Sequence, residues 1–466
     1  MAGRFWVETL GCPKNQVDSD KLVGTLVADG MAPAGAPEDA DLVLVNTCAF
    51  IEAARQESVD TVLALAESRR PGARLVVTGC MAERYGDELA AALPEVDAVA
   101  GFGVPVTLRS RSDVPSMDLL NLSRPPSTAP WAYVKVAEGC DRTCGFCAIP
   151  SFRGRQRSRS MAAILHEVDA LGAQEVVLVA QDLASYGRDE GRKGDIVPLV
   201  EAVAARVART RLLYLYPSEL DDRLTDTICA TGVPYFDLSL QHVSKPLLRR
   251  MRRWGDGARF LHRIETIRGR EPDAAFRSSF IVGYPGETEE DHDQLLAFVE
   301  EAQLDWAGFF AFSPEDGTHA ATLPDPVDPG LVGERLRELG EAQDRITAAR
   351  RAAVIGRSVE VLVDARGVGR THREAPRSTG SSTSPTTSRP VPSPPSPSPA
   401  PPVPISTPGS AERVGGHPGL RPVRTRHTGQ RHNPRPRRRH PVPGGPDPLQ
   451  RAELATPGHL DHPRRH

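Results

Sequence analysis

Three closely spaced cysteines are the residues of this sequence best suited to chemistry. Cys140, Cys144 and Cys147 form a C-x3-C-x2-C run directly after the strand-like segment Ala132–Ala137. Iron–sulfur clusters are held by cysteine thiolates, and a four-iron cluster normally takes four of them. Three neighbouring cysteines would therefore leave the fourth iron open to an exogenous ligand.

The amino and carboxylate groups of S-adenosylmethionine (SAM) can chelate such an open iron, and this cysteine spacing is typical of radical SAM enzymes. Structural zinc is the alternative for clustered cysteines, but it needs four ligands, usually in two C-x2–4-C pairs. Cys229 is too far away in sequence to complete that set, and its helical pattern favours a position in the core. The spacing favours an iron–sulfur cluster over zinc.

A second set of three cysteines lies near the N-terminus. Cys12, Cys48 and Cys80 each follow a strand-like run; the runs are Phe5–Thr9, Leu42–Asn46 and Leu75–Thr78. Ligands of open parallel sheets lie beyond the carboxyl ends of the strands, so the three thiols can converge on one point. Any one of them alone would most simply be a small buried residue that closes a strand. Three at equivalent places favour a second iron–sulfur site.

Composition and periodicity divide the chain into segments. Residues 1–110 predict a parallel α/β domain of flavodoxin-like type, and the Pro- and Ser-rich stretch 111–130 predicts a linker. Residues 131–350 hold six strand-like runs separated by helical patterns. Six β-α units are too few for an ordinary eight-fold barrel, so we expect a partial (β/α)6 barrel with a wide lateral opening. The runs are Ala132–Ala137, Glu175–Gln181, Leu212–Tyr216, Phe236–Gln241, Arg277–Val282 and Trp306–Phe312.

Residues at the carboxyl ends of the barrel strands are candidates for holding SAM, because barrel chemistry takes place there. The candidates are Gln181, Asp182, Ser239, Gln241, His242 and Gly283. Taken alone, His242 is more simply a hydrogen-bonded structural histidine, and a Gly/Pro turn such as the one at Gly283 ends many strands for local reasons. No residue beyond the cysteines is assigned a catalytic role.

A basic run follows the cysteine motif. The segment 151–159 contains four arginines in nine residues. A solvated basic face would explain them, and so would contact with an oxyanion such as the SAM carboxylate, an acidic protein loop or RNA phosphate. The two interpretations are equally consistent with the sequence.

Together the two cysteine sets resemble the methylthiotransferase family of radical SAM enzymes. The resemblance covers about residues 5–365 and is carried by the segments Gly11–Asn15, Asn46–Cys48, Thr78–Cys80 and Glu138–Cys147. The GCPKN motif, followed by Val-Asp-Ser, is similar to the branch that modifies an aspartate of a ribosomal protein. Relatives that modify tRNA tend to have other residues after this first cysteine, such as Gln-Met-Asn. Gln181-Asp182 and Leu240–His242 also match the family's pattern around SAM.

This resemblance implies an enzyme that replaces a C–H bond on the β-carbon of one aspartate of small-subunit ribosomal protein twelve with C–SCH3. It implies SAM, two four-iron four-sulfur clusters, and an electron donor such as flavodoxin or ferredoxin. The radical SAM cluster would generate the 5′-deoxyadenosyl radical, and an auxiliary cluster would carry the sulfur. The implied ligands are Cys12, Cys48 and Cys80 for the auxiliary cluster and Cys140, Cys144 and Cys147 for the radical SAM cluster.

The C-terminal part departs from the family pattern. Residues 351–365 resemble the first strand of a TRAM-like β domain, which the family uses to bind RNA or its protein substrate. Residues 366–466 contain 17 Arg, no Lys and 5 acidic residues, so this tail is about +12 and the rest of the chain about −15. Its Pro- and Ser-rich composition predicts disorder. Out-of-frame translation explains the composition of this tail better than an RNA-binding segment does, although RNA contact stays open. A tail of this origin would weaken substrate recognition.

Other features bear on the compartment and on rival functions. Seven cysteines, an odd number, with no signal-like N-terminus argue against a disulfide framework. No apolar run approaches the ~20 residues of a membrane span, so we expect a cytoplasmic protein without membrane contact. Two alternative functions stay open. One is methylthiolation of tRNA by the same machinery, and the other is a non-catalytic iron–sulfur or zinc module.

Overall fold

The computed structural model of the protein describes residues 3–104, 106, 118–366 and 368–376. Most of the predicted disordered tail (residues 367 and 377–466) and the first part of the predicted linker (111–117) lie outside these ranges. None of the helices in the described ranges combines the length and the apolar character needed to cross a membrane.

A parallel sheet of five strands forms the N-terminal part of the described chain, in the order β2-β1-β3-β4-β5. Its strands are β1 (Arg4–Thr9), β2 (Ala32–Pro33), β3 (Leu42–Thr47), β4 (Arg74–Gly79) and β5 (Ala98–Ala100), and the helices around it are α1 (Pro13–Ala28), α2 (Glu52–Ser68) and α3 (Cys80–Ala92). All of β3 is buried, because alternate residues pack against α1 on one face and against α2 and α3 on the other. Pro13 lies at the start of α1, where its missing N–H is not needed.

Six parallel strands form the second part of the described chain. They are β6 (Trp131–Lys135), β9 (Glu175–Val179), β10 (Arg209–Leu212), β11 (Tyr235–Gln241), β12 (Ala275–Val282) and β13 (Trp306–Ala311), with a short antiparallel pair, β7 (Ala137–Glu138) and β8 (Arg157–Ser158), beside the cysteine loop. β6, β9 and β10 form one sheet, and β11, β12 and β13 another. A parallel bridge between Leu215 and Leu238 joins the two sheets, so the strands follow one another in chain order.

Helices alternate with these strands and cover their outer face. They are α4 (Ile149–Arg153), α5 (Met161–Leu171), α6 (Ile196–Ala204), α7 (Asp222–Cys229), α8 (Lys245–Arg250), α9 (Gly257–Arg270), α10 (Glu289–Ala302) and α11 (Pro329–Ala352). Several of these helices have an N-cap residue whose side chain accepts a hydrogen bond from a backbone N–H of the first turn; these residues are Ser160, Asp221, Ser244 and Asp256. At the start of α10, Thr288 and Asp291 form a reciprocal capping box. The apolar faces of strands and helices meet in one large core.

The α/β architecture predicted from the sequence is confirmed, including the six barrel strands. The sequence misses β2 and β5, because two or three residues are too few to show a strand periodicity. Cys229 ends α7 and packs at the edge of the core, as its helical pattern predicts.

The second half of the predicted linker is packed rather than extended. Leu119 and Leu120 are buried, and the ammonium of Lys21 in α1 donates to the carbonyl of Leu120. Arg124 forms ion pairs with Asp20 of α1 and Glu167 of α5, each at 2.9 Å. These contacts attach α1 to the barrel, and composition alone does not reveal them.

Residues 368–376 pack against the amino ends of the barrel strands, although the sequence places the disordered tail from residue 366. The first three form β15 (Val368–Arg370), which pairs antiparallel with β14 (Leu362–Ala365). Arg211 and Trp306 donate at 2.8 Å to the carbonyls of His372 and Arg373. Ala375 is buried in the same cluster as Tyr133 and Tyr235. The ordered part therefore extends beyond residue 365, through bonds to residues that are distant in sequence.

A buried carboxylate on the loop after β13 connects the barrel to the N-terminal part. Glu315 forms ion pairs with Arg55 of α2 and, at 2.8 Å, with Arg84 of α3. Its side chain is 2% exposed, so both arginines lose solvent and depend on it for charge compensation.

We expect the substitution Glu315→Gln to lower the free energy of unfolding by about 3 kcal/mol, because it leaves the largely buried Arg84 without its carboxylate and Arg55 with only an exposed one. Urea unfolding followed by tryptophan fluorescence measures this loss. Glu52→Gln is the matched control, since Glu52 also pairs with Arg55 but is 71% exposed; it should cost less than about 1 kcal/mol. Equal losses in the two variants would contradict the assigned role of Glu315.

Candidate functional site

The three N-terminal cysteines converge around the side chain of Asn15. β1, β3 and β4 are parallel and in register, so the loops after them meet at one edge of the sheet. The Asn15 amide donates to the carbonyls of Leu10 and Thr47 at 2.9 and 3.0 Å, which ties the first two loops together. Its Oδ1 lies 4.0 Å from the Cys12 sulfur and 3.6 Å from the Cys80 sulfur. One amide thus organises this cysteine site.

Local backbone features bring Cys48 into the same site. Gly11 has φ +85, and a Cβ there would lie 2.8 Å from Cys48 Cβ and 2.9 Å from its sulfur. Only glycine allows this close approach of the two loops. Cys12 precedes α1 and Cys80 begins α3, and neither helix has a side-chain cap at that end. The unpaired N–H groups of a helix start favour a thiolate.

A buried arginine from the barrel completes this site. Arg153, the last residue of α4, donates from Nη2 and Nε to the Cys80 sulfur at 2.9 and 3.3 Å. The same guanidinium donates to Asn15 Oδ1 at 2.7 Å and to Glu138 Oε1 at 2.8 Å. Glu138 also accepts from Lys135 at 2.6 Å. A hydrogen-bonded charge network therefore runs from the N-terminal cysteines into the barrel.

The thiols of this site differ in acidity. Burial and the nearby Cys12 and Cys80 raise the pKa of Cys48 to about 12. Burial also acts to raise the pKa of Cys12, but Lys14, Arg153 and two backbone N–H groups lower it below the usual value. Burial raises the pKa of Cys80, although Arg153 opposes the shift. Without a metal, the more enclosed thiols are therefore protonated.

The second cysteine set lies on a loop at the carboxyl ends of the barrel strands. Cys140 N donates to Gly154 O at 3.1 Å, and Gly145 N donates to Met251 O at 2.8 Å. The Cys140 sulfur accepts from Arg142 N, and the Cys144 sulfur accepts from Arg253 Nη1, both at 3.4 Å. Burial raises the pKa of Cys140 to about 11 and that of Cys147 to about 12.

The donor sets suit clusters better than single ions. In the described part of the chain, no three His, Cys, Asp or Glu side chains lie close enough to share one metal ion. A cubane takes one cysteine on each iron, so its thiolates occupy separate corners. The described cysteines are all free, and in both sets an N–H donor is directed at a sulfur, a contact that would tune the potential of a bound cluster.

The predicted SAM residues after β9 have free acceptors. Gln181 donates to Glu138 Oε1 at 2.7 Å, which leaves its buried Oε1 without a partner among the described residues. Asp182 Oδ2 accepts from Arg142 Nε at 2.6 Å and Ser185 Oγ at 2.7 Å, while its buried Oδ1 likewise has no partner there. An ammonium or hydroxyl donor, such as SAM carries, would satisfy both atoms.

The other predicted SAM residues divide into two pairs. Ser239 and Gln241 end β11 and are partly exposed, the Ser239 carbonyl accepts from Arg253, and Gln241 has a left-handed φ of +73. His242 is buried instead, and its Nδ1 accepts from Ser244 N at 3.1 Å. Gly283 N donates to Glu287 at 2.6 Å, and a side chain there would overlap Val332 of α11. His242 and Gly283 thus have internal roles, and SAM contact by them stays a prediction.

The sequence placed Asn15 and Glu138 in motif segments without a role and did not single out Arg142 or Arg253, because a side chain's distant partners are set by tertiary structure. The arginine run 151–159 was the available signal for Arg153. Its interpretation as a solvated face applies to part of the run, and contact with an external oxyanion stays a prediction. Arg153 and Arg159 are buried and paired, whereas the side chains of Arg155 and Arg157 are 90% and 58% exposed. The four arginines lie two residues apart, so strand alternation would place them on one face and does not separate the two kinds.

Comparison with known proteins identifies the family. Residues 4–101 match the model of an uncharacterized protein family, UPF0004, and residues 134–299 match that of the Radical SAM superfamily. The ribosomal protein uS12 methylthiotransferase RimO of Aquifex aeolicus is 42% identical over 376 residues, 78% of this chain and 84% of its own. The RimO protein of Moorella thermoacetica is 41% identical over 398 residues, 81% of this chain and 92% of its own. The chain belongs to the RimO family of radical SAM methylthiotransferases.

As a RimO-family protein it is an enzyme, a methylthiotransferase that uses an iron–sulfur cluster and SAM. A solved structure of the cobalamin-dependent radical enzyme OxsB overlaps 74% of this chain and 56% of its own, with a TM-score of 0.43 and 11% identity. A likeness this remote carries no weight here. The resemblance described from the two cysteine sets is confirmed by the RimO relatives.

A glycine before the first radical SAM cysteine offers a test of the loop geometry. Gly139 and Gly154 have nearly the same φ, +75 and +74, but a Cβ at Gly139 would overlap the carbonyl of Arg155, whereas nothing lies within 4 Å at Gly154. Gly154→Ala should cost about 1 kcal/mol of unfolding free energy, and Gly139→Ala about 3 kcal/mol or more. Thermal unfolding of both variants measures this, and equal losses would show that the close contact is unimportant.

His242 should make stability depend on pH. Burial lowers its pKa from 6.5 to about 4, and the nearby His292 and Arg335 act in the same direction while Asp291 opposes them. The unfolded chain therefore binds a proton between pH 6.5 and 4 that the folded chain does not, so stability is lost as pH falls through that window. We expect His242→Asn to remove up to about 3 kcal/mol of this loss. Urea unfolding of the metal-free wild type and variant at pH 7.5 and pH 4.5 measures how much unfolding free energy each protein loses between the two pH values. An equal loss of unfolding free energy in wild type and variant would contradict this role of His242.

Proposed function

We propose that this enzyme adds a methylthio group to the β-carbon of an aspartate of ribosomal protein uS12. We further propose that it uses two four-iron clusters, one on Cys12, Cys48 and Cys80 and one on Cys140, Cys144 and Cys147. The observation that carries the proposal is the convergence of the first three thiols around Asn15, joined by Arg153 to the barrel loop that holds the other three. The RimO relatives are named for the uS12 substrate.

When bound, a reduced cluster and SAM supply a radical able to remove hydrogen from an unactivated carbon, which ordinary acid–base chemistry cannot do. The residues of this chain would provide position and shielding. Arg142 orients Asp182 towards the cysteine loop, and Arg253 donates to Cys144 and to the Ser239 carbonyl. Gln181 and Asp182 would bind the polar groups of SAM with their free acceptors.

The network around Glu138 would keep the two cysteine sets in a fixed relation. Glu138 accepts from Gln181 on the SAM side and from Arg153 on the Cys80 side. Burial would by itself raise the pKa of Glu138, but Arg153 and Lys135 lower it, so the group is a carboxylate throughout the physiological range. An electron donor such as flavodoxin or ferredoxin would reduce the cluster.

Iron content tests the two clusters. After anaerobic reconstitution the wild-type chain should hold roughly eight irons, and a Cys12→Ala/Cys48→Ala/Cys80→Ala variant about four. Cys229→Ala is the matched control, since Cys229 lies at the edge of the core away from both sets, and it should keep roughly eight. About four irons in the wild-type chain would remove the N-terminal cluster and with it the proposed methylthio transfer.

Product analysis tests the substrate. Purified uS12 treated with the reconstituted enzyme, SAM, sulfide and a reductant should gain one CH2S unit on a single aspartate, seen by peptide mass spectrometry. Transfer RNA is the control substrate and should stay unmodified. Modified tRNA with unmodified uS12 would favour the rival substrate, and absence of SAM cleavage would favour a non-catalytic module.

A further inference from the structure

Lys14 is a buried cation without a carboxylate among the described residues. It lies in the first turn of α1, two residues after Cys12, and is 8% exposed. The other two buried lysines both have acidic partners: Lys21 pairs with Glu167 at 3.6 Å, and Lys135 pairs with Asp18 and Glu138. For Lys14 the recorded contact is the ring of Tyr214, whose centroid lies 3.5 Å from Nζ.

A cation–π contact does not compensate an ammonium for burial. Such a contact contributes about 2 kcal/mol when desolvated, whereas removing an ammonium from water costs several kcal/mol. A buried ammonium whose desolvation is not offset within the protein is suited to bind an anionic group of a ligand. Arg277, another cation whose charge reaches Tyr214, is already paired with Asp237 at 2.8 Å.

The position of Tyr214 places Lys14, which follows Cys12 by two residues, at the carboxyl ends of the barrel strands. Tyr214 follows β10 and has φ +66, a conformation that non-glycine residues adopt at a cost and that concentrates at functional sites. Its backbone is held by bonds from its N–H to Asp237 at 3.2 Å and from Leu183 N to its carbonyl at 3.4 Å. Leu183 directly follows the Gln181-Asp182 pair. Tyr214 and Cys12 are both partly exposed, so solvent reaches this point.

We propose that the Lys14 ammonium binds the side-chain carboxylate of the substrate residue and so determines which residue is modified. This inference rests on the proposed function, in which the reacting carbon belongs to an aspartate. The β-carbon of aspartate carries the carboxylate directly, so an ion pair at the carboxylate fixes the reacting carbon one bond away. Tyr214 orients the ammonium without neutralising it, which leaves the charge available for the substrate.

The same lysine could instead serve only the charge balance at Cys12, two residues earlier in the chain. The two roles make different predictions about the substrate. A role confined to Cys12 affects all substrates equally, because the substrate carboxylate makes no contact with the lysine. A substrate-binding role depends on the negative charge of the substrate side chain, so it disappears when that side chain is made neutral.

A double-mutant cycle on the reconstituted full chain tests the inference. The enzymes are wild type, Lys14→Met and Lys14→Arg, with Lys193→Met as the control at an exposed lysine. The partners are uS12 and uS12 with the modified aspartate replaced by asparagine. Affinity is measured by anaerobic titration calorimetry, product formation by peptide mass spectrometry, and the iron content of every variant is determined first.

We expect wild type to bind the aspartate form about ten- to a hundredfold more tightly than the asparagine form, the range of one charge-assisted hydrogen bond. Lys14→Met should lose this preference while keeping its iron and its affinity for the asparagine form. Lys14→Arg should restore part of the preference, and Lys193→Met should behave as wild type.

Several outcomes would overturn the assignment. Lys14 does not contact the substrate carboxylate if Lys14→Met keeps the preference for the aspartate form. The same holds if the variant loses affinity for the aspartate and asparagine forms by the same factor. Loss of iron in Lys14→Met together with an unchanged preference would assign the lysine to Cys12 instead. If wild type leaves uS12 unmodified, the proposed function itself fails and the inference falls with it, which the product measurement on wild type alone reveals.

Discussion

The buried guanidinium of Arg153 is the interaction on which the rest of the site depends. It belongs to the barrel part of the chain, yet it donates to the sulfur of Cys80 and the amide of Asn15 in the N-terminal part. Its charge is balanced by Glu138 and Asp18. A buried cation of this kind is tolerated only when every donor has a partner. The two parts must therefore meet in one arrangement, and that arrangement brings the two cysteine sets together.

Several weaker contacts support the same arrangement from other sides. Glu315 forms ion pairs with Arg55 of α2 and Arg84 of α3. Arg124 forms ion pairs with Asp20 of α1 and Glu167 of α5. The N-terminal domain is thereby held over the carboxyl ends of the barrel strands, where enzymes of this architecture carry out their chemistry.

Within the described part of this arrangement, some buried cations are paired with carboxylates and one is not. Arg153 is surrounded by acceptors and can only position its neighbours, whereas Lys14 is enclosed against an aromatic ring. The acceptors are unequal as well: Gln181 and Asp182 each keep one buried oxygen free on the barrel side. Buried groups without partners are costly, so they are expected where a ligand satisfies them. Among the described residues, a cation without a carboxylate and buried acceptors without donors suit a substrate carboxylate and a SAM molecule.

The sequence by itself determined the α/β class, the six barrel strands and the six candidate cysteine ligands, because strand periodicity and cysteine spacing are local properties. It also favoured a core position for Cys229. Only the tertiary structure decided that residues 118–130 and 368–376 are packed, that Arg153 is buried while Arg155 is exposed, and that Asn15 lies among three thiols. The physical reason is that burial and hydrogen-bond partners join residues far apart in the chain, and neither composition nor periodicity records which distant groups will meet.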